Sequence, residues 1–206
     1  MSKPTIISYP PDVPNLVPGM DENNTFTGVN TFSQKIALSG SGRVNVSRVV
    51  SLSGIGKGVS APTETRTGNT FGWAFTIGDD GYFTFEPDYG RDSTTDVIVK
   101  IHWHINEAYA TNSGEVKWQI DYTSATEGTD TIDGATASLD TGDVNIHATA
   151  KTLMESLITI PAANVSVDDV VFCKISRVAL TGGNNPTAEP VITSVEVETT
   201  NNKLGE

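Results

Sequence analysis

Two histidines one residue apart have the clearest capacity for chemistry in this sequence. His102 and His104 lie in the run KIHWHINE, and Glu107 follows three residues after the second histidine. Imidazole and carboxylate groups are common zinc ligands, and a catalytic zinc site needs three protein ligands plus an open position. A metal centre is therefore one hypothesis for this segment, and the outer face of a β-strand is the other.

Alternation along the chain favours the strand face. In TDVIVKIHWHI the odd positions are apolar from Val97 to Ile105, whereas the even positions include Lys100, His102 and His104. Successive side chains of a strand point to opposite faces, so the histidines should point away from the interior, toward solvent or a neighbouring subunit. The run GEVKWQIDY alternates in the same way. The predicted core aromatic residues are Trp73, Trp103, Trp118 and Tyr122.

The histidine pair resembles the first metal-binding motif of the cupins, in which two histidines and a glutamate face into a barrel. Here Asp96 stands where that motif begins with glycine, and Glu107 comes one position too early. The remaining histidine, His147, lacks the pattern of the second cupin motif. The sequence therefore predicts no metal, no cofactor and no enzymatic activity. A cupin-like enzyme, with His102 and His104 as candidate ligands, stays as an alternative.

Composition limits the possible partners. The chain has 206 residues, with 13 basic against 25 acidic side chains and a net charge of -12. No cluster of Lys or Arg is present, so a nucleic-acid partner is not expected. No apolar run approaches the roughly 20 residues that cross a bilayer, so no membrane partner is expected either. The acidic stretch from Glu127 to Asp143 is interpreted as a solvated loop, with a calcium site as the alternative.

Eight short runs with strand patterning follow one another after residue 61. Gly, Asp, Asn and Thr dominate the connections between them, as turns require, and no helical crossover separates them. The single cysteine, Cys173, lies within the apolar run VVFCKIS and is expected to be buried. The predicted fold is all-β, an antiparallel jelly-roll sandwich over residues 61–206. The runs cover 71–77, 81–87, 95–105, 114–122, 136–150, 156–160, 170–178 and 190–199.

The first 23 residues are predicted to form an extended anchoring arm. Prolines at positions 4, 10, 11, 14 and 18 enforce extended conformations. The apolar side chains between them are too many for an ordinary solvated tail, so the arm should lie on another surface, with a disordered terminus as the alternative. The predicted binding residues are Ile6, Ile7, Tyr9, Pro10, Pro11, Val13, Leu16 and Val17.

A short internal repeat follows the arm. Asn-Thr-Phe-Thr at residues 24–27 returns six residues later as Asn-Thr-Phe-Ser. A segment this short cannot bury its own aromatic side chains, so residues 24–60 are predicted to form a β collar intertwined with other copies of the chain. The predicted collar contacts are Phe26, Phe32, Ile36 and Leu38.

The stretch NTFTGVNTFS resembles repeats of bacteriophage tail-fibre and head-fibre proteins. The layout from FGWAF through KIHW and VKWQIDY to VVFCKISR resembles the trimeric jelly-roll domains of phage decoration and fibre proteins. These resemblances imply a homotrimer of a virion, assembled in the host cytoplasm. The head surface is the expected location, because 206 residues leave no room for a long shaft. Its arm would dock on the major capsid protein or another virion protein.

The alternative function is a short tail-fibre or receptor-binding protein. Tyr89 and Tyr109, which lie on predicted loops, would then offer stacking surfaces to host glycans.

Overall fold

Fourteen strands make up most of the regular structure in the described part of this computed structural model, which comprises residues 36–37, 43–110, 114–133 and 137–204. Two 3₁₀ turns, Leu52–Gly54 and Ala162–Asn164, are also present. No helix within these ranges has the length and hydropathy to span a membrane. The strands are β1 (Ile36–Ala37), β2 (Val44–Val50), β3 (Gly56–Lys57), β4 (Thr63–Thr67), β5 (Thr70–Ala74), β6 (Asp80–Phe85), β7 (Val97–Ile105), β8 (Glu115–Thr126), β9 (Ala137–Asp140), β10 (Val144–Asn145), β11 (Met154–Ile160), β12 (Asp169–Val178), β13 (Pro190–Asn201) and β14 (Lys203–Leu204).

Two six-stranded antiparallel sheets form a sandwich. Sheet I has the order β11-β7-β13-β5-β4, and β2 also pairs with β13. Sheet II has the order β10-β8-β12-β6-β3, and β9 also pairs with β8. The short strands β1 and β14 form a separate antiparallel pair. The predicted all-β jelly-roll sandwich is confirmed.

The core lies between the two sheets and is centred on two tryptophans. Trp103 of β7 and Trp118 of β8 are both fully buried, and their rings meet edge to face with centroids 5.9 Å apart. Phe75 packs on Trp118 in the same geometry at 5.5 Å. Trp73 and Tyr122 are also buried, at 7% and 3% exposure. Aromatic pairs of this kind add about 0.5–1.5 kcal/mol beyond the burial of their area.

Two buried arginines tie loops to the ends of the sandwich. Arg91 is 1% exposed, and its guanidinium donates to the carbonyl oxygens of Val165 and Thr95, at 2.7 and 2.6 Å. Arg177 donates to the carbonyl oxygen of Phe75 at 3.0 Å. Burial lowers the pKa of both guanidinium groups. All three carbonyl groups belong to residues outside the strands. The arginines therefore supply hydrogen-bond donors that the sheets do not provide.

Each of the eight predicted runs overlaps at least one strand, and the run 136–150 contains two short ones, β9 and β10. The sandwich begins earlier than the predicted boundary at residue 61. Strand β2 pairs with β13 over seven residues, and β3 pairs with β6, so residues 44–50 and 56–57 of the predicted collar segment belong to the sheets. These residues were predicted to form strands of the collar rather than of the sandwich. Most side chains of β2 are exposed, so its sequence does not show a buried face.

A glycine allows the β4–β5 hairpin to lie close against β13. A Cβ atom on Gly72 would come within 2.4 Å of Val191 Cγ1 and 2.7 Å of the Ile192 carbonyl oxygen. Distances this short cannot be tolerated without moving the hairpin, because one of the two contacts is with backbone. Glycine is therefore required at position 72 because there is no room for a side chain, and not because of its backbone angles.

We expect Gly72→Ala to lower the free energy of unfolding by about 1–3 kcal/mol, since the added methyl group overpacks this contact. Gly182→Ala is the matched control, because a Cβ there would meet no atom within 4 Å. Urea denaturation followed by tryptophan fluorescence measures both variants. Equal effects of the two substitutions would show that the close approach at Gly72 is unimportant.

Candidate functional site

A groove of about 410 Å³ on the outer face of sheet II is the candidate site. Its centre is a row of cross-strand neighbours from four strands. Tyr82 of β6 is opposite Lys174 of β12, which is opposite Asp121 of β8, which is opposite Ser138 of β9. Phe172 also lines the groove, one row further along β12. These side chains share the outer face because their neighbours along each strand fill the core.

Asp121 is the best-connected side chain of the groove. Its carboxylate accepts hydrogen bonds from Lys174 Nζ at 2.6 Å, Ser138 Oγ at 2.6 Å and Gln119 Nε2 at 2.8 Å. Burial alone would raise the pKa of Asp121, but these donors together hold it below its ordinary value. The hydrogen bond between Lys174 and Asp121 also raises the pKa of Lys174. Both groups are therefore charged at neutral pH and fixed in place.

Apolar surface lies beside this charged row. Tyr82 is 45% exposed, Phe172 is half-buried, and Ile132 is 70% exposed at the rim. The Tyr82 hydroxyl donates to Asp80 Oδ2 at 3.2 Å, which holds the phenol ring on the sheet face. Burial and the nearby Asp80 carboxylate raise the pKa of this phenol. The groove thus combines two aromatic rings with a fixed carboxylate and ammonium.

His102 lies on the outer face of sheet I, half-buried between two polar side chains. Its Nδ1 is 3.2 Å from Ser194 Oγ, and its Nε2 is 3.1 Å from Glu155 Oε2. Within the described residues, no three His, Cys, Asp or Glu side chains come together as a metal site.

His104 differs from the expectation of an exposed side chain. It alternates with the core residues Trp103 and Ile105, as predicted, yet only 4% of it is exposed. Residues of the β4–β5 hairpin and of the segment before β11 lie around it on the outer face. Alternation identifies the face on which a side chain lies, but not the distant segments that cover that face.

Several acidic side chains, including Asp130 and Asp143 of the predicted acidic loop, act in turns and caps. Asp143 accepts hydrogen bonds from the backbone amides of Thr181 and Gly182, which lower the pKa of its carboxyl group. Asp130 accepts from the amide of Thr126 at 3.0 Å. Asp169 is buried and accepts from the hydroxyls of Ser124 and Thr126. These carboxylates satisfy backbone and hydroxyl donors of the fold.

Cys173 is 2% exposed in the core, as expected for a lone strand cysteine. Burial raises the pKa of its thiol to about 12, so the nucleophilic thiolate is scarce at neutral pH.

The two loop tyrosines have different environments. Tyr89 is 62% exposed. Tyr109 is half-buried; its hydroxyl donates to Glu107 Oε2 at 2.5 Å and accepts from the amide of Thr187 at 2.8 Å. Glu107 also accepts from the amide of Ala188 at 3.0 Å. Glu107 and Tyr109 therefore position the loop before β13.

The predicted arm, residues 1–23, lies outside the described residues. So do the predicted collar contacts Phe26, Phe32 and Leu38. Ile36 is described by its backbone alone, which pairs with Leu204 in the β1–β14 ladder. The arm and collar contacts stay predictions.

No protein-family model matches the chain, and no curated protein does. Similar solved structures include the CBM36-1 domain of a multidomain xylanase from the hindgut metagenome of Trinervitermes trinervoides. That likeness has 12% identity and a TM-score of 0.40, over 74% of this chain and 96% of the other. Dimeric latent PorU from Porphyromonas gingivalis matches at 10% identity and a TM-score of 0.38, over 83% of this chain and 14% of its own. The family 11 carbohydrate-binding module from Clostridium thermocellum matches at 16% identity and a TM-score of 0.29, over 84% of this chain and 92% of its own. These likenesses concern the β-sandwich fold alone.

Proposed function

We propose that this chain is a structural protein of a phage virion, of the capsid decoration or cement type, and that it acts as a homotrimer without catalytic activity. Its sequence resemblances suggest the virion. The structural observation that supports self-association is strand β2, which lies at an edge of sheet I. Within the described ranges it pairs with β13 alone, and it exposes 49% of Val44 and 67% of Val49.

An exposed edge strand with apolar side chains is a template for pairing with another chain. Strand β2 lies within the predicted collar segment, residues 24–60, and follows the NTF repeat closely. In the proposed trimer, neighbouring copies cover the edge and the valines. The arm then docks on the major capsid protein or another virion protein, and three weak contacts act together through avidity.

We expect the purified protein to have the mass of a trimer in size-exclusion chromatography with multi-angle light scattering. Val49→Lys should shift the mass toward that of a monomer, because it places a charge on the apolar edge. Leu157→Lys is the control, since Leu157 is 52% exposed on β11 at the opposite edge of sheet I. A monomeric wild type, or a trimer indifferent to Val49→Lys, would contradict this interface.

Deletion of residues 1–20 should leave the trimer mass unchanged and abolish binding to virion heads, because the predicted docking side chains lie in this segment. Cosedimentation with heads that lack the protein measures the binding. Undiminished binding of the shortened chain would remove the arm from the proposal.

The second candidate function is recognition of host-surface glycans through the groove on sheet II. Tyr82, Phe172 and the Asp121–Lys174 pair support it. The C–H faces of a sugar ring are apolar and pack on aromatic rings, while its hydroxyl groups hydrogen-bond to fixed carboxylate and ammonium groups. This function is compatible with a virion protein, because receptor-binding modules are also carried on the particle.

If the groove binds glycans, Tyr82→Ala should weaken the binding roughly tenfold, since it removes an aromatic contact surface. Glycan-array screening followed by calorimetry of the best ligand measures this loss. Tyr89→Ala is the control, because Tyr89 is exposed but does not line the groove. A loss confined to Tyr89→Ala would place the glycan site on the loop instead.

A further inference from the structure

A second cavity, of about 420 Å³, lies on the outer side of sheet I and is lined by His104. The other lining residues come from three separate parts of the chain. Thr67, Gly68 and Thr70 belong to the β4–β5 hairpin, Lys151 precedes β11, and Thr193 lies in β13. The volume is within the roughly 300–1,000 Å³ of small-molecule sites.

His104 carries an unsatisfied polar atom. Its side chain is almost fully buried, and its Nε2 has no hydrogen-bond partner within the described part of the chain. Buried polar groups are nearly always hydrogen-bonded, so the orphaned Nε2 of this cavity-lining residue indicates a missing partner. The two other histidines differ, since both ring nitrogens of His102 have partners and Nδ1 of His147 accepts from the amide of Thr149.

The charge of the cavity is positive. Burial first, and then the positive charge of Lys151, lower the pKa of His104. Lys151 is the charged residue of the cavity lining; the hairpin contributes threonines and a glycine, and β13 contributes Thr193. No ion pair to Lys151 is present among the residues that the structure describes. Lys151 is exposed, so its ammonium group is accessible to a ligand in the cavity.

The backbone holds Lys151 in an unfavourable conformation beside β7. Its φ of 64° is in the left-handed region, and its amide donates to the carbonyl oxygen of Ile105 at 2.7 Å. No other non-glycine residue in the described ranges has a positive φ. Such strain persists only where the surrounding structure enforces it, and it clusters at functional sites.

We propose that this cavity binds the carboxylate group of a small organic acid, with Lys151 and His104 as the binding residues. Lys151 supplies the opposite charge, and the imidazole supplies an N–H donor. Leu153 also lines the cavity and is 64% exposed, which provides an apolar surface for the carbon skeleton of the acid. This site does not depend on the proposed virion or glycan functions.

Binding of a carboxylate has a consequence for protonation. A bound negative charge favours the imidazolium form of His104, in which both ring nitrogens donate. The ligand carboxylate itself, with an ordinary pKa of about 4, stays ionised above pH 5. Binding should therefore take up a proton and become tighter as the pH falls from 7.5 to 6.

The test is an NMR titration of the full-length ¹⁵N-labelled protein with glucuronate, acetate and glucose. Long-range imidazole spectra resolve the three histidines separately. Both acids should shift the His104 resonances, glucose should not, and the Kd for glucuronate should fall as the pH is lowered. Tighter binding of glucuronate than of acetate would assign the ligand to the sugar acids, and equal binding would assign recognition to the carboxylate alone.

Lys151→Asn should raise the Kd for glucuronate roughly tenfold or more, because it removes the charged donor. Asparagine tolerates the left-handed conformation, so the variant should fold. Lys117→Asn is the control, since it removes the same charge from sheet II, where Lys117 pairs with Asp140. Unshifted His104 resonances with both acids, equal binding of glucose and glucuronate, or full affinity in Lys151→Asn would each overturn the proposal.

Discussion

The contact between Trp103 and Trp118 is the interaction on which this sandwich depends. One ring comes from sheet I and the other from sheet II, so their edge-to-face packing sets how the two sheets meet. Trp103 also donates to Ser156 Oγ at 2.9 Å, which ties β7 to the neighbouring strand β11. Because the two rings face the core, the residues that alternate with Trp103 along β7 and with Trp118 along β8 must face outward. The candidate groove and both strand histidines owe their positions to this constraint.

The two outer faces carry different chemistry as a result. On sheet II, Asp121 and Lys174 neutralise each other next to aromatic rings, and this arrangement suits neutral, hydroxyl-rich ligands. On sheet I, Lys100 pairs with both Glu196 and Glu198, at 3.3 and 2.8 Å. Lys151, by contrast, stands beside His104 in a cavity without a carboxylate in its lining. Under the two binding proposals, ligands of different charge would bind on opposite sides of one domain.

Local sequence patterns are enough to predict the strands and the buried aromatic residues, because alternation is a local property of a strand. Assembly of the groove is not local. Tyr82, Lys174 and Asp121 become neighbours only through the strand order β6-β12-β8, which no pattern within a single strand encodes. The environment of His104 escapes prediction for the same reason, since the segments that cover it are distant in sequence. Strand β2 was predicted as part of the collar, and its place in sheet I was not, because its partner β13 is about 150 residues away in sequence.

The bulge in β13 has a consequence for tolerance to insertions and deletions. Ile192 is opposite Trp103 and Ser194 is opposite His102, so Thr193 is an extra residue in the ladder. The residues that belong to the core cluster change there from an even number to odd ones, from Ile192 to Val195 and Val197. Loss of a single residue usually inverts every later side chain of a strand. Without Thr193, inward and outward side chains would instead alternate along β13 without interruption. The sandwich should therefore tolerate deletion of this residue. What would disappear is its hydroxyl, which donates to the His102 carbonyl oxygen and lines the cavity at His104.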